Sequence, residues 1–280
     1  MRIKILSDST CDLPREILEK YDITLAPLTV IKNGEPFSDG VNITTQEIFD
    51  HVAAGGDLCT TAALNAGEYQ EFFEKYTGDY DGVLHVNIGS GFSCCYQNAC
   101  LAADELENVR VVDSQNLSTG QGLIVLKAAQ LAQQCQSIDE LHDQVQALAS
   151  RVESSFVLNH LAYMVKGGRC SSAAALGANL LNLKPCIEVK DGKMSVVKKY
   201  RGSYAKCLAN YVKDRLADRD DLDLETLFVT NTPVSAECEE AVKNAVEQYN
   251  KFENTYWTKA GCTISCHCGP ETLGVLFLRK

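Results

Sequence analysis

Two different rhythms in one chain limit what this sequence can fold into. Through the first half, short apolar runs are each followed by an amphipathic segment: residues 3–6 then 15–21, 82–88 then 92–106, and 109–112 then 119–135. Strand followed by helix, repeated, predicts a parallel sheet with helices on its faces. Leu141, Val145, Leu148 and Val152 recur at helical spacing and predict a further helix over 139–152. Asn33-Gly34 marks a hairpin. After Ser155 the runs lengthen and the connections tighten. Residues 184–190 and 194–200 flank Asp191-Gly192, a pair that supplies the positive φ angles of a type I′ turn. Helical patterns at 204–216 and 235–249 and strands at 224–230 and 273–278 complete an α+β half. The expected fold is therefore α/β in two domains: an N-terminal parallel sheet flanked by helices over 1–155, and a C-terminal α+β domain over 156–280.

Composition narrows the function classes. The 280 residues are 45% hydrophobic and 22% charged, the balance of an ordinary globular chain. Asp and Glu number 37 against 26 Lys and Arg, and the resulting net charge of −11 repels phosphate backbones and anionic lipid surfaces. Nucleic acid is thus not an expected partner, nor is stable membrane insertion, because no apolar run reaches the length of a span. The first residues hold too short an apolar run for a signal peptide, so the chain is expected in the cytoplasm. Its 13 cysteines are irregularly spaced and read as reduced thiols, with Cys100, Cys135 and Cys207 acting as small hydrophobes on helical patterns.

Common enzyme signatures are missing: there is no phosphate-binding Gly-x-x-x-x-Gly-Lys-Ser/Thr, no Gly-x-Ser-x-Gly and no His-Glu-x-x-His. Gly120-Gln121-Gly122 lacks the third glycine of a dinucleotide site and reads as a strand-to-helix turn. Cys262, Cys266, His267 and Cys268 offer zinc-type donors at poor spacing and without a second pair, so no metal is expected there. Cys94-Cys95 reads as small-residue packing at a helix start. No cofactor is indicated.

A set of small hydroxyl-bearing turns placed where strands end is more informative. They are Ser7-Asp8-Ser9-Thr10, Cys59-Thr60-Thr61-Ala62, Ile88-Gly89-Ser90-Gly91-Phe92-Ser93 and Asp113-Ser114. Ligands of open parallel sheets bind beyond the carboxyl ends of the strands, where helix N-termini present free N–H groups. Hydroxyls and amides without a lysine suit a compact anion such as a carboxylate or phosphate; each hydroxyl taken alone also fits a plain helix cap. Lys166-Gly167-Gly168-Arg169 adds an arginine whose fork either closes over an anion or forms a surface ion pair.

Taken in order, these segments resemble the DegV family of bacterial fatty-acid-binding proteins, and the resemblance runs from end to end. It is carried by Ser7-Asp8-Ser9-Thr10-Cys11-Asp12-Leu13, by Thr60-Thr61 with Gly67-Glu68-Tyr69, and by Ser90-Gly91-Phe92-Ser93 with Tyr96-Gln97-Asn98-Ala99. Lys166-Gly167-Gly168-Arg169, Leu180-Leu181-Asn182-Leu183-Lys184-Pro185 and His267-Cys268-Gly269-Pro270 continue it. The resemblance implies a two-domain fold with a long-chain fatty acid between the lobes and no turnover by the carrier itself. It also implies a partner fatty acid kinase that phosphorylates the presented carboxylate to an acyl phosphate. The carboxylate ligands it implies are Thr61 and Ser93 with the neighbouring Ala62 and Cys94, and Arg169 and His267 near the same end.

Physical chemistry is compatible with such a carrier. Burying about 14 methylenes at about 0.8 kcal/mol each is worth on the order of 11 kcal/mol before entropy costs, so a slot and a polar clamp suffice. The small-residue run 173–178 is a candidate wall for the slot, or ordinary helix packing. This chain departs from the family pattern at Ala62-Ala63, Cys94-Cys95, Cys170, Cys266 and Cys268. The rival readings of the same site are an acyl hydrolase or phosphotransferase, for which His267 is the one candidate base, and a lipid-sensing regulatory protein.

Overall fold

A computed structural model describes residues 1–175, 183–249 and 251–280, and its chain divides into two compact units. The first comprises Met1–Val152 with Gly261–Ile264; the second comprises Glu153–Ala260 with Ser265–Lys280. Residues 176–178 of the small-residue run and residues 180–182 lie outside the described residues.

In the first unit the chain runs β1 (Ile3–Asp8), α1 (Arg15–Lys20), β2 (Thr24–Ala26), β3 (Thr29–Lys32), β4 (Glu35–Ser38), α2 (Thr45–Ala53), β5 (Thr60–Ala62) and α3 (Ala66–Thr77). It continues through β6 (Gly82–Asn87), α4 (Cys95–Ala103), β7 (Val109–Asp113), α5 (Ser118–Leu131) and α6 (Ile138–Leu148). Four strands form a parallel sheet in the order β2-β1-β6-β7, flanked by helices α3 to α6. Leu6, Leu84, Val112, Phe73, Ile124 and Leu141 are buried there. Asn33 and Gly34, both at positive φ, turn β3 into β4 as the sequence predicts.

Three local readings need correction. Thr60–Ala62 is a strand rather than a turn: Thr61 pairs with Val30, and β5 completes a three-stranded antiparallel sheet ordered β4-β3-β5. Gly120 to Gly122 lie inside α5 rather than in a turn before it. A Cβ on Gly122 would stand 2.6 Å from the Cys11 carbonyl oxygen, so this glycine lets the helix press against the 3-10 turn Ser9–Cys11. The helix predicted over 139–152 ends at Leu148, and after the 3-10 turn Ala149–Arg151 the β-branched Val152 opens a strand.

The second unit contains β8 (Val152–Leu158), α7 (Ala162–Gly167), α8 (Ser171–Ala174), β9 (Leu183–Lys190), β10 (Lys193–Arg201), α9 (Tyr204–Leu216) and β11 (Leu222–Asn231). After these come α10 (Ala236–Tyr249), β12 (Asn254–Lys259) and β13 (Thr272–Arg279), with α11 (Cys262–Cys268) before β13 beginning in the segment grouped with the first unit. Its described strands make one mixed sheet in the order β10-β9-β8-β13-β11-β12. Asp191 and Gly192, at φ 50° and 69°, form the predicted hairpin turn between β9 and β10. Helices α9 and α10 cover a core that includes Leu208, Tyr211, Leu227, Val242 and Phe277.

Segment 261–264 sits with the first unit because two acidic side chains hold its amides. Gly261 N–H donates to Asp12 Oδ1 at 2.9 Å, and the Cys262 and Thr263 amides donate to the two oxygens of Asp39 at 2.9 and 3.1 Å. These are the orphan donors at the start of α11, which would otherwise be buried without partners. Burial pushes the Asp12 carboxyl up to about 8, with the Asp39 charge adding to it, against the pull of the Ser118 hydroxyl and the Gly261 amide.

Candidate functional site

The parallel sheet of the first unit ends in buried polar groups. Asp8 closes β1 and Asn87 closes β6, and both are fully buried. A carboxylate in that position must be saturated with donors. Tyr69 Oη–H donates to Asp8 Oδ1 at 2.7 Å, Asn87 Nδ2 donates to both oxygens at 3.2 and 3.1 Å, and Ile88 N–H donates to Oδ2 at 2.8 Å. His85 Nε2 lies 3.2 Å from Oδ1.

The bond to Ile88 fixes the entry of the loop that leads to Ser93. A Cβ on Gly89 would stand 2.8 Å from the Asn116 nitrogen, so only glycine passes there, and Gly89 N–H donates to the Asn116 carbonyl at 2.7 Å. Ser90 then donates through its amide and its hydroxyl to Asp113 at 3.0 and 2.6 Å. Held at these points, the chain delivers Ser93 and Cys94 to the start of α4, with Ser93 half-buried and Cys94 exposed. Asn98 Nδ2 of α4 donates to the Leu64 carbonyl at 2.7 Å. That bond ties the helix to the segment directly after β5, which carries Thr61 and Ala62. The Ser93 hydroxyl thus stands beside the N-terminus of α4, a position that favours an anion.

Arg169 and His267 belong to the second unit, where they are neighbours. Helix α7 ends at Gly168 in the left-handed conformation, and Arg169 Nη1 donates back to the Gly167 carbonyl at 2.6 Å. A Cβ on Gly167 would stand 2.7 Å from His267 Nδ1, so this glycine is what lets the imidazole come in close. Burial pushes the His267 pKa down to about 4, and the Arg169 charge pushes the same way. At neutral pH the ring is therefore uncharged. Of the six residues singled out from sequence, Thr61, Ala62, Ser93 and Cys94 thus lie in the first unit and Arg169 and His267 in the second.

Tyr69 and Asn98 stand in segments that carry the resemblance but without a role, and His85 stands in none. Asn98 lies on the helical stretch that followed the Ser93 motif, but its partner Leu64 is distant in the chain. Tyr69 and His85 meet Asp8 only across the folded sheet, and no local spacing announces them. The cysteines near the end of the chain act as hydrogen donors: Cys262 Sγ to the Ile43 carbonyl at 3.3 Å and Cys268 Sγ to the Gly269 carbonyl at 3.6 Å. Burial and the Asp39 charge push the Cys262 thiol up to about 12, which keeps it protonated. Among the described residues, no group of three or more His, Cys, Asp or Glu side chains is placed to hold a metal ion, and no helix is long and apolar enough to cross a membrane.

Comparison with known proteins gives this arrangement a context. A DegV domain-containing protein of Clostridium acetobutylicum is 34% identical over 281 residues, covering all of this chain and 99% of its own. A solved DegV family protein of Thermus thermophilus, described as binding fatty acid, superposes with a TM-score of 0.89 at 27% identity over the whole of both chains. A stearic-acid-binding protein of Eubacterium ventriosum gives a TM-score of 0.85 at 25% identity, covering 99% of this chain and 98% of that one. The family model described as an uncharacterised protein of the DegV family matches residues 2–280, and the chain belongs to the DegV family.

Proposed function

We propose that this chain is a non-enzymatic carrier that binds a long-chain fatty acid and presents its carboxylate to a fatty acid kinase for conversion to an acyl phosphate. The clamp is made by the Thr61 and Ser93 hydroxyls with the neighbouring backbone at Ala62 and Cys94. Arg169 and His267 form a second, separately testable pair acting on the carboxylate. The observation that carries the reading is the tie between the start of α4 and the segment after β5, through Asn98 and Leu64. It ties the helix whose N-terminus carries Ser93 to the segment that follows Thr61, in a chain whose family includes proteins described as binding fatty acids. A clamp of this kind needs no base to do its work. Ser93 Oγ has its hydrogen bonds with Cys95, and neither an imidazole nor a carboxylate is among its partners within the described residues.

The test is palmitate binding to the chain carrying Thr61→Ala and Ser93→Ala together, with hexadecanol as a ligand of the same length and no charge. Hydrogen bonds to a charged group are worth about 1.5–3 kcal/mol each, so palmitate affinity falls about 100-fold or more while hexadecanol affinity barely moves. Unchanged palmitate affinity would refute the clamp. The kinase step is tested by whether acyl phosphate formation by a fatty acid kinase with ATP depends on adding this chain.

A further inference from the structure

The clamp assigned to Ser93 contains a competition. A hydroxyl has one proton, and in this structure Ser93 Oγ donates it to Cys95 Sγ at 3.0 Å while accepting the Cys95 backbone N–H at 3.2 Å. A bound carboxylate must take that same proton. Resting on the fatty-acid reading above, we propose that Cys95 is a positioning residue that tunes carboxylate affinity, its sulfur holding the Ser93 proton loosely enough for an anion to take it.

The surroundings of Cys95 keep it a neutral thiol. The side chain is buried, and burial with the Asp8 charge pushes its thiol up to about 12, so the S–H is retained. Tyr69 and the Leu64 backbone stand at the same sulfur and pull the thiol back down. Tyr69 Oη–H is in turn committed to Asp8 Oδ1 at 2.7 Å, and Asp8 is saturated by Asn87 and Ile88. Ser93 Oγ–H meets the sulfur of Cys95 at 3.0 Å, so the atom that holds this proton is a sulfur acceptor. Sulfur is a weak acceptor, whereas a carboxylate accepts a charge-assisted bond about twice as strong as a neutral one. The proton therefore transfers its allegiance to the ligand at little cost.

A stronger acceptor at this position should resist. In Cys95→Ser the hydroxyl oxygen competes for the Ser93 proton, and palmitate affinity is expected to fall about 3- to 10-fold. In Cys95→Ala the competitor is gone, and affinity should equal that of the unsubstituted chain or rise by up to about 3-fold. Hexadecanol should bind all three forms alike. A residue that merely filled space would give the reverse order, with serine tolerated and alanine harmful, and would affect acid and alcohol equally. Where alanine compromises folding, judged by the thermal midpoint, Cys95→Val removes the acceptor while keeping the volume and carries the same expectation. Palmitate binding to Cys95→Ser as tight as to the unsubstituted chain, or loss of both ligands from the alanine and valine forms, would overturn the proposal. Failure of the unsubstituted chain to bind palmitate at all would overturn the carrier reading itself, and this proposal with it.

Discussion

The two units bury polarity in different ways. In the first, buried polar side chains gather at the carboxyl ends of the strands: Asp8, Asn87 and His85 meet Tyr69 there, while Gln121 Nε2 donates to Ser7 Oγ at 2.9 Å and Gln121 Oε1 accepts from Thr10 Oγ1 at 2.8 Å. In the second, the fully buried Tyr211 donates to the Ser155 carbonyl at 2.6 Å and accepts the Val275 amide at 2.9 Å, with the Ser155 hydroxyl also 2.9 Å away, so its polar atom is spent mostly on backbone. The charges of that unit lie nearer the surface, with Arg215 on Glu188 and Arg219 on Glu153, each pair at 2.7 Å. Polarity concentrated at strand ends is costly, and it is kept where it fixes a loop that meets a ligand. Polarity spent on backbone or on ion pairs stabilises a scaffold. The contrast explains why one unit holds four of the six candidate residues.

Unequal losses on substitution would sharpen that contrast, and equal losses would break it. The largest is expected for Asp8→Ala, which leaves the Tyr69, Asn87 and Ile88 donors buried without their acceptor. A loss of about 3–5 kcal/mol is expected in urea unfolding, together with loss of palmitate binding as the Ser93 loop loosens. Gly167→Ala comes next. Its new Cβ would press on His267 Nδ1, and such overpacking costs about 1–3 kcal/mol unless the ring moves. Palmitate affinity should fall with it, whereas a stability loss with binding untouched would remove His267 from the site. Arg219→Ala, in the partly exposed ion pairs of the second unit, should cost about 1 kcal/mol or less and leave palmitate binding unchanged.

Acidity separates the units by sign. Asp12 titrates near 8 in the fold against an ordinary 3.8, so the folded chain binds the proton more tightly and stability falls as pH rises from about 4 to about 8. His267 titrates near 4 against 6.5, so the unfolded chain binds its proton more tightly and stability rises with pH between about 4 and 6.5. Urea titrations should show the Asp12 slope alone above pH 6.5, flattened by Asp12→Asn. Below 6.5, His267→Gln should remove the opposing slope. A stability profile indifferent to both substitutions would contradict these assignments.

Much of the fold could be read locally because its signals are local. The Asp191-Gly192 and Asn33-Gly34 turns name their own geometry, and the helical spacing over 204–216 matches α9. Helices α2 and α3 escaped that reading although their starts carry capping boxes, Thr44 with Glu47 and Asn65 with Glu68. The caps mark where these helices begin. The strand at Thr60–Ala62 was hidden for another reason: three residues become a strand only because β3 offers a partner. The same holds for the site. Ser93 and Thr61 stand in recognisable motifs, but the Asp8–Tyr69–Cys95 chain behind Ser93 joins residues from β1, α3 and α4, and no window of sequence contains them together.

The central claim, that this chain carries a fatty acid, is tested most directly by a mass spectrum of the organic extract from freshly purified protein, with the native mass of the intact chain measured beside it. The account predicts a near-stoichiometric long-chain fatty acid and a matching increment in native mass. No fatty acid in the extract, and no uptake of added palmitate, would contradict it.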